Sequence, residues 1–224
     1  MIKILVFTLV LLISVSPVAA QDPHSSSKQL TVIFVGDGTS SLNYPSPYDG
    51  ITRKQLLVAQ LGPIFKTLRN QKEVRLIVLR LCGGCNLLYE GGVSQSNLGE
   101  IKIAAGLVPC TSSDGTNLVA SFKTIKGIVD GQPWNEYAII CCSDGLHEMR
   151  AATQDDAYKA LKQLGKQLKG HSIKLFAMLG IDESVRLEWR TAALQAFGSS
   201  VPVYVSGFTD LISTMKEVRS TLAK

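Results

Sequence analysis

Asp37, Thr39 and Ser41 occupy alternate positions in the run Asp37-Gly38-Thr39-Ser40-Ser41, directly after an apolar stretch. One carboxylate and two hydroxyls at that spacing are compact oxygen donors. A hard divalent cation such as Mg2+ takes six oxygens in a strict octahedron and keeps some of its waters. Two further segments carry the same chemistry, Asp114-Gly115-Thr116-Asn117-Leu118 and Ser143-Asp144-Gly145. With Thr116 and Asp144 the set holds two carboxylates and three hydroxyls. Hydroxyls supply oxygens without cancelling charge, so such a set leaves the ion able to take an acidic ligand from outside. The glycines let the backbone turn sharply beside it.

Three other chemistries compete for these residues. Val35-Gly36-Asp37-Gly38-Thr39 resembles the Asp-x-Asp-Gly-Thr motif of haloacid-dehalogenase phosphatases, whose first Asp is the covalent nucleophile. Val35 stands in that place, so the nucleophile is missing. Cys82-Gly83-Gly84-Cys85 has thiol–disulfide spacing, but a reactive Cys needs a helix N-terminus to lower its pKa. The segment after Cys85 reads as loop or strand instead. A structural disulfide among Cys82, Cys85 and Cys110 is the expectation for an exported chain. A serine nucleophile needs a base, and the histidines are His24, His147 and His171. His24 lies in a polar lead-in and His171 precedes a strand. His147, three residues after Asp144, is placed to flank the ligand surface or to bind metal, though a solvated loop residue is the plainer reading. No Ser sits in a nucleophile elbow. The expectation is a binding module, not an enzyme.

The elements that must position these groups alternate. Leu30 to Gly36, Val74 to Leu81, Tyr137 to Cys142, Ile173 to Leu179 and Val201 to Val205 read as buried strands, near-continuous in apolar residues. Helical spacing covers 51–70, 97–107, 116–129, 153–169, 183–197 and 210–222, with Pro63 expected to kink the first. Residues 82–97 read as a turn with a short edge hairpin. Alternation of this kind predicts an α/β fold, doubly wound, mostly parallel, with helices on both faces of the sheet. Ligands then bind outside the carboxyl ends of the strands, which is where all three oxygen-bearing segments fall.

Asp-x-Thr-x-Ser after a first buried strand, Gly-Thr-Asn-Leu opening a helix, and Ser-Asp-Gly after a later strand resemble a von Willebrand factor type A (vWA) domain. The resemblance spans roughly residues 28–222. It implies a mostly parallel sheet with one short antiparallel edge strand. It also implies a metal-ion-dependent adhesion site (MIDAS), normally Asp-x-Ser-x-Ser with a distant Thr and Asp. Asp37, Thr39, Ser41, Thr116 and Asp144 take those places. The hydroxyls of Thr39, Ser41 and Thr116 would ligate the cation directly, and Asp37 and Asp144 would act largely through water. The cation implied is Mg2+, with Mn2+ or Ca2+ as alternatives. The partner implied is a protein or peptide whose acidic residue completes the shell. Thr39 departs from the usual Ser, and its methyl crowds the loop. The alternative is a scaffold with a vestigial metal site and a disulfide or redox role for Cys82 and Cys85.

Composition sets the frame. A hydrophobic fraction of 46% and 224 residues suit one domain with a full core. Lys3, the apolar run to Val15, Pro17 and Val18-Ala19-Ala20 read as an export signal over 1–20. A polar lead-in follows over 21–28, then the domain over 29–224. Losing Lys3 takes the formal charge from +5 to +4. The location expected is secreted or periplasmic. Lys159, Lys162, Lys166 and Lys169 mark a solvated helix face rather than a nucleic-acid stripe, and no segment of the mature chain is long and apolar enough to span a membrane. Neighbours on a strand point to opposite faces, so Cys141 and Cys142 read as core residues rather than a pair. Tyr44 and Tyr48, in a loop stiffened by Pro45 and Pro47, are candidate partner-contact residues. Trp134 and Trp189 read as packing residues.

Overall fold

The structure is a computed structural model that describes residues 28–224 apart from 49, 72, 94–96, 107–108 and 111–114. The export signal, nearly all of the lead-in, and Asp114 therefore lie outside the described residues. Strands β1 (Leu30–Asp37), β2 (Val74–Leu81), β3 (Cys85–Gly92), β4 (Glu136–Cys142), β5 (Ser172–Leu179) and β6 (Val203–Ser206) form one sheet in the order β3-β2-β1-β4-β5-β6. β1 runs parallel to β2 and to β4, and the parallel run continues through β5 and β6. β3 is antiparallel to β2 at the edge, with a register shift at Val78/Leu79. This is the expected edge strand, eight residues long.

Every residue of β1 is buried, because side chains leave it alternately into two cores. Val32 and Phe34 pack on one face against α1 (Arg53–Arg69), α2 (Leu98–Gly106) and α6 (Leu211–Leu222). Ile33 and Val35 pack on the other against α3 (Leu118–Gly131), α4 (Gln154–Gln167) and α5 (Arg186–Phe197). Cys142 joins the first core and Cys141 the second, as alternation requires. Local signals fix the helix starts. Thr52 with Gln55, and Thr153 with Asp156, form capping boxes that satisfy first-turn N–H groups. Pro63 sits inside α1 without ending it. Among the described residues no helix is long and apolar enough to cross a membrane.

The chain leaves β1 toward β2 across one face and returns to β4, on β1's other side, across the opposite face. The winding direction thus reverses between β1 and β4. The carboxyl ends of that pair are the switch point, where an open α/β sheet leaves a crevice.

Candidate metal centre

β1 ends at Asp37, and β4 ends at Cys142, one residue before Ser143. The β1–β4 register sets Gly36 opposite Cys142, so Asp37 and Ser143 leave the sheet side by side. Thr39 then caps a single 3-10 turn over Ser40–Asn43, which folds Ser41 back toward the strand end. Thr116 arrives from a third direction, just before Asn117, whose side chain caps α3 by accepting from Ala120 N. The expectation that Thr116 opens the helix is corrected here: Asn117 is the cap and Thr116 precedes it.

Four of the five predicted residues are joined by hydrogen bonds, and Asp144 lies close enough to Asp37 to push its pKa up. The Thr39 hydroxyl donates to Asp37 Oδ1 at 2.6 Å, and its backbone N–H donates to the same oxygen at 2.8 Å. Thr39 Oγ1 lies 3.1 Å from Ser41 Oγ, and the Thr116 hydroxyl donates to Thr39 Oγ1 at 3.3 Å. Asp144 accepts from Leu146 N through Oδ1 at 3.0 Å. Its other oxygen, Oδ2, is buried and has no partner among the described residues. A buried, unpaired carboxylate oxygen costs roughly 1–3 kcal/mol or more, so this atom calls for a ligand.

The hydroxyl spacings give a second test of fit. Neighbouring oxygens on an octahedral Mg2+ at about 2.05 Å are about 2.9 Å apart, and on Ca2+ at about 2.4 Å they are about 3.4 Å apart. The 3.1 and 3.3 Å found here lie between these values. The donors are all oxygen, which suits Mg2+, Mn2+ or Ca2+. Among the described residues there is no group of three or more His, Cys, Asp and Glu able to hold a metal. Any cation held here would have to be coordinated mainly by the hydroxyls. The residues present fit a hard divalent cation.

Burial pushes the Asp37 carboxyl from 3.8 up to about 6, against opposing pulls from the Thr39 and Ser143 hydrogen bonds and with a small further push from Asp144. Sequence reasoning missed Ser143. Its hydroxyl donates to Asp37 Oδ2 at 2.7 Å and accepts from Gly145 N at 3.1 Å. The signal was a hydroxyl residue ahead of Asp-Gly at a strand end. It also missed how that loop is held. Gly145 has φ +79°, and Trp189 Nε1 and Gln154 Nε2 both donate to its carbonyl at 2.9 Å. A Cβ at Gly145 would come within 2.8 Å of Trp189 Nε1. Trp189 is fully buried between Phe122 and Tyr158, so the core itself positions Asp144.

Three expectations need correction. His147 is buried, not solvated: its Nδ1 accepts from Leu118 N at 3.2 Å, satisfying a first-turn donor of α3. Trp134 is 66% exposed and packs little, because it sits in the turn before β4. Cys82 bonds to Cys110, with Cα atoms 5.9 Å apart, and Cys85 is a free thiol whose pKa burial raises to about 11. Cys82 and Cys85 are thus not a redox pair. The disulfide instead ties together the loops of the oxygen cluster: Cys110 N donates to Gly38 O, and Asn117 N to Cys82 O, both at 2.9 Å. At the rim, Tyr44 is 63% exposed and Tyr48 38%.

No protein-family profile and no curated protein sequence matches the chain. Solved structures do. A von Willebrand factor type A protein from Catenulispora acidiphila superposes with TM-score 0.60 at 18% identity, over 89% of this chain and 43% of that one. The fold is vWA-like. Proximal thread matrix protein 1 of the mussel byssus, with a zinc-occupied MIDAS motif, gives 0.59 at 17% identity over 88% and 46%. The PilB minor pilin of Streptococcus sanguinis gives 0.65 at 12% identity over 90% and 63%. This vWA-like chain spans less than two thirds of each of those proteins.

Proposed function

We propose that this vWA-like domain is an exported binding module, not an enzyme, which engages an acidic protein or peptide through a divalent cation, Mg2+ first among them. The observation that carries the reading is Asp144 Oδ2, a buried carboxylate oxygen without a partner beside three hydroxyl oxygens at ligand spacing. Thr39, Ser41 and Thr116 would hold the ion directly, and Asp37 and Asp144 would hold its waters. When bound, the ion supplies a positive charge that a partner's carboxylate can neutralise. The chain's own work is positional. Ser143 and the Thr39 N–H fix Asp37, and Trp189 and Gln154 fix the loop of Asp144. The disulfide fixes the approach to Thr116.

Ser41 is half-buried and Tyr44, three residues on, is exposed, and this loop is where a partner would dock. The likeness to a mussel protein with a zinc-occupied MIDAS and to a minor pilin supports this reading. Calorimetric titration with Mg2+, Mn2+, Ca2+ and Zn2+ tests it. We expect saturable binding by the wild type that Asp144→Ala abolishes; no heat from the wild type at millimolar metal would refute it.

A further inference from the structure

A second concave site lies on the α1–α2–α6 face, at the far end of α1 from the metal centre. Its floor is the outer face of α1, where Ala59, Gly62 and Pro63 keep side chains short. Leu98 and Lys102 of α2 form one side and Arg219 of α6 the other of an open depression of ≈ 770 Å³. Gln71 Nε2 donates to Leu222 O and pins the α6 wall to the end of α1. Lys66, Arg69, Lys102 and Arg219 line the groove, and among the described residues no acidic side chain does. Among the described residues none of these four cations forms an ion pair there, although those residues form eight such pairs elsewhere. Helix C-termini attract Lys and Arg, which accounts for Lys66, Arg69 and Arg219. It does not account for Lys102, in the middle of α2, whose ammonium lies 3.1 Å from where a Gly62 Cβ would be. That side chain covers the floor of the groove instead of extending into water.

We propose that this groove binds an anionic polysaccharide. Four cations around a concave floor match carboxylate or sulfate groups repeated along a chain. The small apolar floor of Ala59 and Pro63 suits the flat C–H faces of sugar rings, and Thr67 and Asn70 are polar partners for hydroxyls. A flat membrane surface cannot follow the floor down to Lys102. Single-stranded nucleic acid needs aromatic platforms, and no aromatic lines the groove among the described residues. An acidic peptide bound by strand addition needs a sheet edge, and the walls here are helices; one held by its carboxylates alone is the outcome that polyglutamate tests. The site is separate from the metal centre and does not rest on it.

The probes are dextran sulfate, polygalacturonate and neutral dextran, titrated against the full chain in about 0.15 M salt, a Debye length of about 8 Å. We expect binding of at least one charged polymer, none of neutral dextran, and no change on adding chelator. Lys66→Glu with Lys102→Glu should weaken binding at least about tenfold, through two lost charge-assisted contacts. Ala59→Trp fills the floor while leaving every cation, and should weaken it as well. Lys123→Glu with Lys162→Glu removes the same charge from α3 and α4 on the opposite face, and should change binding less than about twofold. Circular dichroism confirms that each variant is folded. Equal loss from both charge reversals would overturn the proposal, as would silence from both charged polymers. Tighter binding of polyglutamate or of phosphatidylglycerol vesicles would overturn it too.

Discussion

Replacing Asp37 by Asn separates the cost of the metal centre from its use. In the folded protein without metal, Asp37 is buried and its pKa stands near 6 against 3.8 for the free side chain. A raised carboxyl pKa means the folded state holds its proton more tightly than the unfolded state. Stability from this group is therefore greatest below the unfolded value and falls as pH rises from about 4 to about 6. Roughly two pH units at about 1.4 kcal/mol each make the ionised carboxylate cost about 3 kcal/mol above pH 6. Asn fits the site. Its oxygen keeps both Thr39 hydrogen bonds, and its amide can donate to Ser143 Oγ, whose proton turns away. Urea denaturation in chelator should show Asp37→Asn gaining on the wild type by about 2–3 kcal/mol between pH 4 and pH 8. Mg2+ at about 1,000 times its Kd should reverse the order at pH 8, because it adds about 4.1 kcal/mol to the wild type alone. A difference flat with pH in chelator, or a wild type that gains on the variant as pH rises, would refute the reasoning.

Other outcomes follow from the same contacts. Cys82→Ser with Cys110→Ser, or reduction of the wild type, should lower unfolding stability by about 3–4 kcal/mol, the entropy of closing a loop of this length; metal affinity should fall with it, as Cys110 and Cys82 brace Gly38 and Asn117. Thr39→Ser keeps the hydroxyl and should keep metal binding. Thr39→Val should weaken it at least about tenfold by calorimetry, near 1.4 kcal/mol for one lost oxygen. His147→Ala strands the buried Leu118 N–H, and should cost about 1–3 kcal/mol of stability in a denaturant titration.

The sheet was legible because its strands are apolar on both faces, as strands between two helix layers must be. Leu30 to Gly36 and Val74 to Leu81 needed almost no correction. The convergence of Asp37, Thr39, Ser41 and Thr116 was legible because strand ends dictate where loops converge. What escaped was decided in three dimensions. His147 looks like a polar loop residue, and only the approach of α3 turns its ring into a cap. Trp134 is as apolar as Trp189, yet one meets solvent and the other Gly145. Cys85 has the nearer sequence spacing to Cys82, but β3 carries it away along the sheet edge, while the chain after α2 brings Cys110 back.

The most direct test of the central claim is a crystal structure of the protein soaked in Mn2+, with the ion located by its anomalous scattering. We predict one peak within about 2.0–2.4 Å of Thr39 Oγ1, Ser41 Oγ and Thr116 Oγ1, on the side of Asp144 Oδ2. No peak there at saturating metal, or a peak held by other residues, would contradict it.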